Sequence, residues 1–284
     1  MHWDGYTRIS AVRINTATAG KKETGFFFKT VVLFLFCVII IFMRIDRLLC
    51  ELNMGSRSRV KELIKKGLVS ADGIMIRKPE QQVDEKTVDI VCNGISCRYR
   101  PHIYFVMNKP AGVISATFDT REKTVLDVLR DQLIEKYGEE LKGIPIKDIF
   151  PVGRLDKDTV GLILLTNDGE LAHKLLSPKK HVPKKYYVEL NVPIREEMAN
   201  CLRAGVDIGE EGITKPAKVE ILSENSCYMT ITEGKFHQVK RMFQKVGLTV
   251  VYLKRLSMGN LVLDDELGEG CVRELTEKEV EDIC

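Results

Sequence analysis

The chain contains no Cys-x-x-Cys pair, no Gly-x-x-x-x-Gly-Lys phosphate loop and no Gly-x-Gly-x-x-Gly turn. Its eight cysteines stand apart, at positions 37, 50, 92, 97, 201, 227, 271 and 284. No His lies at ligand spacing from a Cys pair. Structural zinc sites and disulfide frameworks need such clustering, so neither is expected. Scattered thiols in mostly apolar surroundings fit a reducing cytosol. Without a metal cluster or a nucleotide-binding loop, the sequence is consistent with chemistry that needs no cofactor.

A run of full membrane length is also missing. Phe26 to Met43 is apolar except for Lys29 and Thr30, and Val31 to Met43 is only thirteen residues. Crossing a hydrocarbon core takes about 20. Arg8, Arg13, Lys21 and Lys22 precede the run, so its literal reading is a signal anchor with its N-terminus inside. The second reading takes Met43 as the initiator and 1–42 as a non-native upstream extension. The apolar run abuts Arg44 with no linker, and the second reading is adopted, leaving 1–42 out of the fold.

Nor is there a large excess of charge. The 284 residues are 44% hydrophobic and 29% charged, with a net +3. The distribution says more than the total. Residues 43–100 hold twelve Lys/Arg and eight Asp/Glu, whereas residues 264–284 hold two and nine. A basic head and an acidic tail fit a polyanionic partner on one side.

In the head, Ile45, Leu48, Leu49 and Leu52 recur at helical spacing. Asn53-Met54-Gly55 breaks this helix and Ser56 caps the next. There Val60, Leu63 and Ile64 share a face, while Arg57, Arg59, Lys61, Lys65 and Lys66 line the rest. Asp72-Gly73 signals a hairpin between Leu68-Val69 and Ile74-Met75-Ile76. A third strand is expected over 87–91, then a linker from Asn93-Gly94 to Arg100-Pro101. The cationic face is either a phosphate-contacting surface or simply solvated.

Downstream, the stretch from Pro151 to Gly169 organises the chain. Its back half, Leu162 to Leu165, is an apolar run between turn residues, and so reads as a buried strand. Asp168 then caps a helix carrying Leu171, Leu175 and Leu176. The front half crowds Arg154, Asp156, Lys157 and Asp158 into a loop. Such a loop is either a solvated turn or a carboxylate held among cations at the edge of a core. Around it stand a strand over 103–107 and a turn, Lys109-Pro110-Ala111-Gly112. A helix follows over 124–133. Alternation in Lys184 to Leu190 places Tyr186, Val188 and Leu190 on one face and Tyr187 on the other. Glu233 to Phe243 opens a helix with Val239, Met242 and Phe243 inward and His237, Gln238, Lys240 and Arg241 polar. Val250 to Leu263 reads as two strands, and the tail as an acidic turn and helix on the outside.

The string Gly-Arg-Leu-Asp…Asp-Thr-x-Gly-Leu-Ile-Leu-Leu-Thr-Asn-Asp-Gly resembles the catalytic motif of the RsuA-type pseudouridine synthases, which act on ribosomal RNA. Ser-Arg-x-x-Val-Lys-x-Leu-Ile-x-x-Gly-x-Val…Asp-Gly is similar to the S4 RNA-binding module, and Met43-Arg-Ile-Asp-Arg-Leu-Leu looks like the opening of such a protein. The resemblance spans nearly all of 43–284. It implies an α+β architecture. A small S4-like domain (43–100) precedes a catalytic domain (101–284) with a mixed, largely antiparallel sheet crossed by a cleft.

It also implies roles. Asp156 is the nucleophile, Tyr186 stacks on the base or accepts a proton, and Lys240 brings a cation to Asp156. RNA contacts are expected from Arg57, Arg59, Lys61, Lys65, Lys66, Lys109, Arg154, His237, Gln238 and Arg241. The implied partner is small-subunit ribosomal RNA or an assembly intermediate. A cytoplasmic monomer would act on it without cofactor, metal or membrane, as at uridine 516 in the family. Gly212-Ile-Thr-Lys-Pro-Ala217 looks like a segment of the small-subunit enzymes. The alternatives are a synthase for large-subunit RNA and a non-enzymatic S4-type ribosome-binding protein.

Overall fold

A computed structural model describes residues 42–85, 87–97, 99–138, 143, 146 and 148–283. The apolar run before Phe42, and with it the choice between anchor and extension, falls outside the described residues. Among those described, no helix is long and apolar enough to cross a membrane.

The head carries β1 (Phe42–Arg44), α1 (Ile45–Glu51), α2 (Arg57–Lys65), β2 (Val69–Ala71), β3 (Ile74–Met75), β4 (Gln82–Asp84), β5 (Ile90–Cys92) and β6 (Ile95–Cys97). Its helices form where the apolar spacing predicts. Ser56 Oγ accepts from the Arg59 amide at 3.3 Å, capping α2. Ile45, Leu48, Leu49, Val60, Leu63 and Ile64 meet in a core of their own. Each such side chain contributes about 1.5–3 kcal/mol on burial. Strands β3-β2-β5-β6 make a small sheet. Two of its hairpins turn on left-handed pairs, Asp72-Gly73 (φ 49° and 76°) and Asn93-Gly94 (φ 51° and 80°). The second pair was expected to open a linker. It closes a hairpin instead, because Asn-Gly supplies both positive φ angles that a tight turn between twisted strands needs.

The remaining elements are β7 (Tyr104–Lys109), α3 (Val125–Tyr137), β8 (Phe150–Pro151), β9 (Val160–Thr166), α4 (Gly169–Leu176), β10 (Lys184–Leu190), α5 (Glu196–Ala204), β11 (Lys218–Ser223), β12 (Ser226–Ile231), α6 (Gln238–Lys245), β13 (Val250–Met258), β14 (Leu261–Val262), β15 (Val272–Glu274) and α7 (Glu277–Ile283). Seven strands run in the order β11-β12-β10-β13-β9-β7-β15. Along that path every pairing is antiparallel except β13 with β9. The expected mixed, largely antiparallel sheet is therefore present. Residues 43–284 cluster as one compact unit.

Both faces of the sheet are covered. Phe105, Met107, Ile163, Leu165, Tyr186 and Val188 pack on one side with α3, α5 and α6, while Val106, Leu162 and Leu164 pack on the other with α4. This is why Val160–Thr166 is apolar at nearly every position: all seven residues of β9 are buried. The acidic tail departs from expectation. It supplies an edge strand, β15, which pairs with β7 through Val272–Met107 and Glu274–Phe105. Its charged residues masked a strand only three residues long.

The parallel contact of β13 with β9 is short, joining Lys254 to Val160 and Arg255 to Gly161. Gly161 has φ +100°, and a Cβ there would stand 2.3 Å from the Arg255 carbonyl oxygen and 2.7 Å from its nitrogen. Gly161→Ala is expected to destabilise the fold by about 3 kcal/mol or more, through strain and clash with backbone that cannot yield. Urea denaturation measures this; an unchanged midpoint would refute the tight seam.

Candidate active site

A cleft of about 400 Å³ opens at that seam. The loop before β9 gives it Arg154, Asp156 and Thr159; β10 gives Lys184 and Tyr186; the turn into α6 gives Lys235 and His237; α6 gives Lys240; β13 gives Leu253 and Arg255. Asp156, Tyr186 and Lys240, far apart in sequence, thus line one space. Tyr186 arrives because the alternation of β10 buries it with Val188 and Leu190.

The electrostatic centre is a cation between two carboxylates. Lys240 Nζ stands 3.2 Å from Asp156 Oδ2 and 2.5 Å from Asp158 Oδ1. The Asp158 carboxyl is held below its usual range by the hydrogen bond from Lys240. His237 Nε2 is 3.5 Å from the other Asp156 oxygen. His237 itself sits at φ 47° at the start of α6, its ring stacked on Phe236 with centroids 3.8 Å apart. This left-handed residue aims the helix so that Lys240 faces Asp156 while Val239, Met242 and Phe243 enter the core.

The loop bearing Asp156 is clamped from behind. Ser115 Oγ donates to the Leu155 carbonyl and accepts from the Leu155 amide, both at 2.9 Å. The Gly112 amide donates to the Lys157 carbonyl at 2.8 Å. Lys109 Nζ donates to the carbonyls of Pro110, Lys157 and Thr159 at 3.0, 3.2 and 2.8 Å. Lys109 is fully buried, and burial lowers its pKa to about 8. It was expected to face RNA. The Lys-Pro-x-Gly turn instead folds the ammonium inward onto three backbone carbonyls, two of them in the loop that bears Asp156.

Of two further residues expected at RNA, Gln238 turns inward as well and Arg241 stays partly exposed. Gln238 is 3% exposed; its Nε2 donates to Glu233 Oε1 at 2.7 Å and its Oε1 accepts from the Lys235 amide at 2.9 Å. Arg241 donates to Glu211 Oε2 at 2.8 Å, to the Phe236 carbonyl at 3.1 Å and to the Ile208 carbonyl. Both stitch the turn before α6 to its neighbours: Gln238 is deep and needs partners in the protein, whereas Arg241 keeps 26% of its side chain exposed. Arg154 is exposed at the cleft wall. On α2 and at its C-cap, Arg57, Arg59, Lys61, Lys65 and Lys66 are all exposed, but Glu62 takes Arg59 at 2.8 Å and Lys66 at 2.6 Å. Arg57, Lys61 and Lys65 make no ion pair among the described residues.

The sequence reading missed Ser115, Thr159 and Arg255. Nothing in a Ser after a turn, or an Arg in a strand, marks it as part of a site. Only the alternation of β13, which puts Leu253 and Arg255 on the face of Tyr186, pointed there.

A carboxylate fixed by a lysine, beside a buried tyrosine and an open space of nucleotide size, can attack or deprotonate a sugar while the aromatic ring covers the base. The chain also matches known proteins. The RNA pseudouridylate synthase family matches residues 103–245, and the S4 domain matches residues 43–89. The chain belongs to the RNA pseudouridine synthases. It is 50% identical to a Bacillus subtilis protein named as an uncharacterized RNA pseudouridine synthase, YtzG, over 84% of this chain and 97% of that one. It is 36% identical to the ribosomal small subunit pseudouridine synthase A of Vibrio cholerae, over 85% and 99%. A crystal structure of a pseudouridylate synthase superposes with a TM-score of 0.57 at 34% identity, covering 85% of this chain and all of that one.

In this synthase the buried Lys109 makes stability depend on pH. Between about 8 and its ordinary value of 10.5, the unfolded chain binds more protons at this position than the folded one. The contribution of Lys109 is therefore complete above 10.5 and lost as the pH falls through about 8. Urea denaturation across this range is expected to show wild-type stability rising relative to Lys109→Met as the pH increases. Parallel curves for the two proteins would contradict the assignment.

Proposed function

We propose that this synthase isomerises one uridine of small-subunit ribosomal RNA in the cytoplasm, the one equivalent to position 516. Residues 43–100 serve as the RNA-binding domain and 101–284 as the catalytic domain. The observation that carries the chemistry is the pairing of Asp156 with Lys240 at 3.2 Å in a cleft that also holds Tyr186. The small-subunit target is supported by the 36% identity, over nearly its whole length, to a synthase named for that subunit. Thr214-Lys215-Pro216-Ala217, beside the cleft turn through the hydrogen bond of the Lys215 amide to Glu233, supports the same reading.

The target uridine leaves its stack, at a cost of about a few kcal/mol, and enters the cleft. Asp156 acts at the sugar or base while Lys240 holds its charge in place. Tyr186 covers the base or moves a proton. Arg154 and His237, both at the cleft mouth, contact the flanking strand. Among the described residues no cluster of His, Cys, Asp or Glu suits a metal ion.

Tritium release from 5-³H-uridine-labelled small-subunit RNA tests the activity, and mapping the modified base in a deletion strain tests the target. A base found instead in large-subunit RNA would replace the target and keep the enzyme. Asp156→Asn is nearly isosteric and is expected to fold, bind RNA and release no tritium; single-turnover activity of even about one per cent would count against a nucleophile. Tyr186→Phe slows the chemistry if the hydroxyl moves a proton, and leaves it nearly unchanged if the ring only stacks.

The head is expected to supply affinity. Neutralising Arg57, Lys61 and Lys65, which Glu62 does not engage, weakens RNA binding and flattens its salt dependence by about 0.7–0.9 in log–log slope per lost phosphate contact. The rate at saturating RNA stays. An unchanged slope would mean that the face is only solvated; a collapsed rate would mean that the head orients the target.

A further inference from the structure

Arg255 is among the largest fully buried side chains of the protein, 2% exposed, and it lines the cleft. Its Nε donates to the Leu162 carbonyl at 2.7 Å. Its Nη2 is buried and has no hydrogen-bond partner among the described residues. No carboxylate among them pairs with the guanidinium. A buried charge left in this state is strongly destabilising, so such groups are normally paired. Structural need does not account for it: a neutral donor would hold the Leu162 carbonyl as well.

The surroundings sharpen the anomaly. Thr159 Oγ1, in the same cleft, is likewise buried without a hydrogen-bond partner among the described residues. Thr159 lies two residues before Gly161, whose Cα pairs with that of Arg255. Lys109 and Lys184 stand close enough for the positive charge of Arg255 to help lower their pKa values, after burial itself. Asp156 and Asp158 are engaged by Lys240. The floor of the cleft therefore has donors and positive charge to spare and lacks an acceptor.

We propose that the Arg255 guanidinium, with the Thr159 hydroxyl, forms a subsite for a carbonyl oxygen of the flipped uracil, and that Arg255 stabilises the charge the base carries while it is detached. The inference rests on the reading that a uridine is isomerised in this cleft. When the C1′–N1 bond breaks, its electron pair leaves with the uracil and spreads onto the ring oxygens. The pair returns when C5 bonds to C1′; C5 then gives up its proton and N1 takes one, so the sum is an isomerisation. A preorganised, water-excluded guanidinium beside a uracil oxygen favours the detached base more than the bound uridine, which raises the rate rather than the affinity. Tyr186, paired with Arg255 across β10 and β13, places the covering ring over the same spot.

The test uses the full chain and ³H-labelled small-subunit RNA under single-turnover conditions. For Arg255→Ala and Arg255→Lys, the saturated rate is expected to fall by about 100-fold or more while the RNA Kd moves less than about threefold. Adding guanidinium or ethylguanidinium at fixed ionic strength is expected to restore part of the Arg255→Ala rate, and ethylammonium is not. A rate within about twofold of wild type overturns the proposal, since that is below the worth of any oxyanion donor. A raised Kd and flattened salt slope with an unchanged rate identify a phosphate clamp and also overturn it. A lost rate without guanidinium rescue leaves only a tie between β13 and β9. If Arg255→Ala does not fold, the split between rate and Kd in Arg255→Lys decides alone. Wild-type protein without tritium release would instead remove the functional reading beneath it.

Discussion

The close approach of β9 and β13 at Gly161 is the constraint on which the site depends. Only a residue without a side chain lets the Arg255 backbone come so near. That contact sets the end of the Asp156 loop beside β13, and β13 in turn carries β10 and its Tyr186. Helix α6 packs on the same face through Val239, Met242 and Phe243, so Lys240 comes within reach of both carboxylates. Most antiparallel neighbours in the sheet, such as β7 with β9 and β10 with β13, are also joined by long connections rather than hairpins. The parallel contact of β13 with β9 needs a crossover rather than a tight turn, and the cleft lies where the two strands meet.

A loop with two carboxylates and two neighbouring cations does not hold one conformation by its own propensities. Here it is held by groups outside it: the Ser115 hydroxyl, the Gly112 amide and the Lys109 ammonium, all from the end of β7 and the segment after it. This explains why a Lys-Pro-x-Gly turn precedes the Asp156 motif in the chain. The turn reaches back to fix the motif's carbonyls, leaving the carboxylates free to face Lys240. Preorganisation of this kind lowers the reorganisation needed when charge develops in the reaction.

Much of this was legible in the sequence, for identifiable reasons. The helices α1, α2, α4 and α6 follow from apolar spacing and caps; β9 and β10 follow from an unbroken apolar run and a clean alternation. The architecture and the motif holding Asp156 were readable because the string around Asp156 is long. The hairpin at Asn93-Gly94 carried the same signal as that at Asp72-Gly73 but stood next to a proline that suggested a linker. Strand β15 is short and charged, and owes its existence to the open edge of β7 rather than to its own residues. Residue identity also left direction undetermined. Lys109 and Gln238 were grouped with surface cations and donors because a sequence shows polarity, not which way it points.

Burial is what sorts the positive charges of this enzyme. On α2 they are exposed and act, if at all, through displaced counterions, so their effect fades with salt. Lys240 is a quarter exposed and bridges two carboxylates, which fixes geometry more than it adds attraction. Lys109 and Arg255 are removed from water altogether, where each must find acceptors or remain a destabilising charge. Lys109 finds three carbonyls. Arg255 finds one, and the acceptor it lacks is the kind that a uracil brings. The depth at which the fold places each cation thus sets what it can meet: solvent and counterions on α2, carboxylates at Lys240, backbone carbonyls at Lys109 and the cleft floor at Arg255.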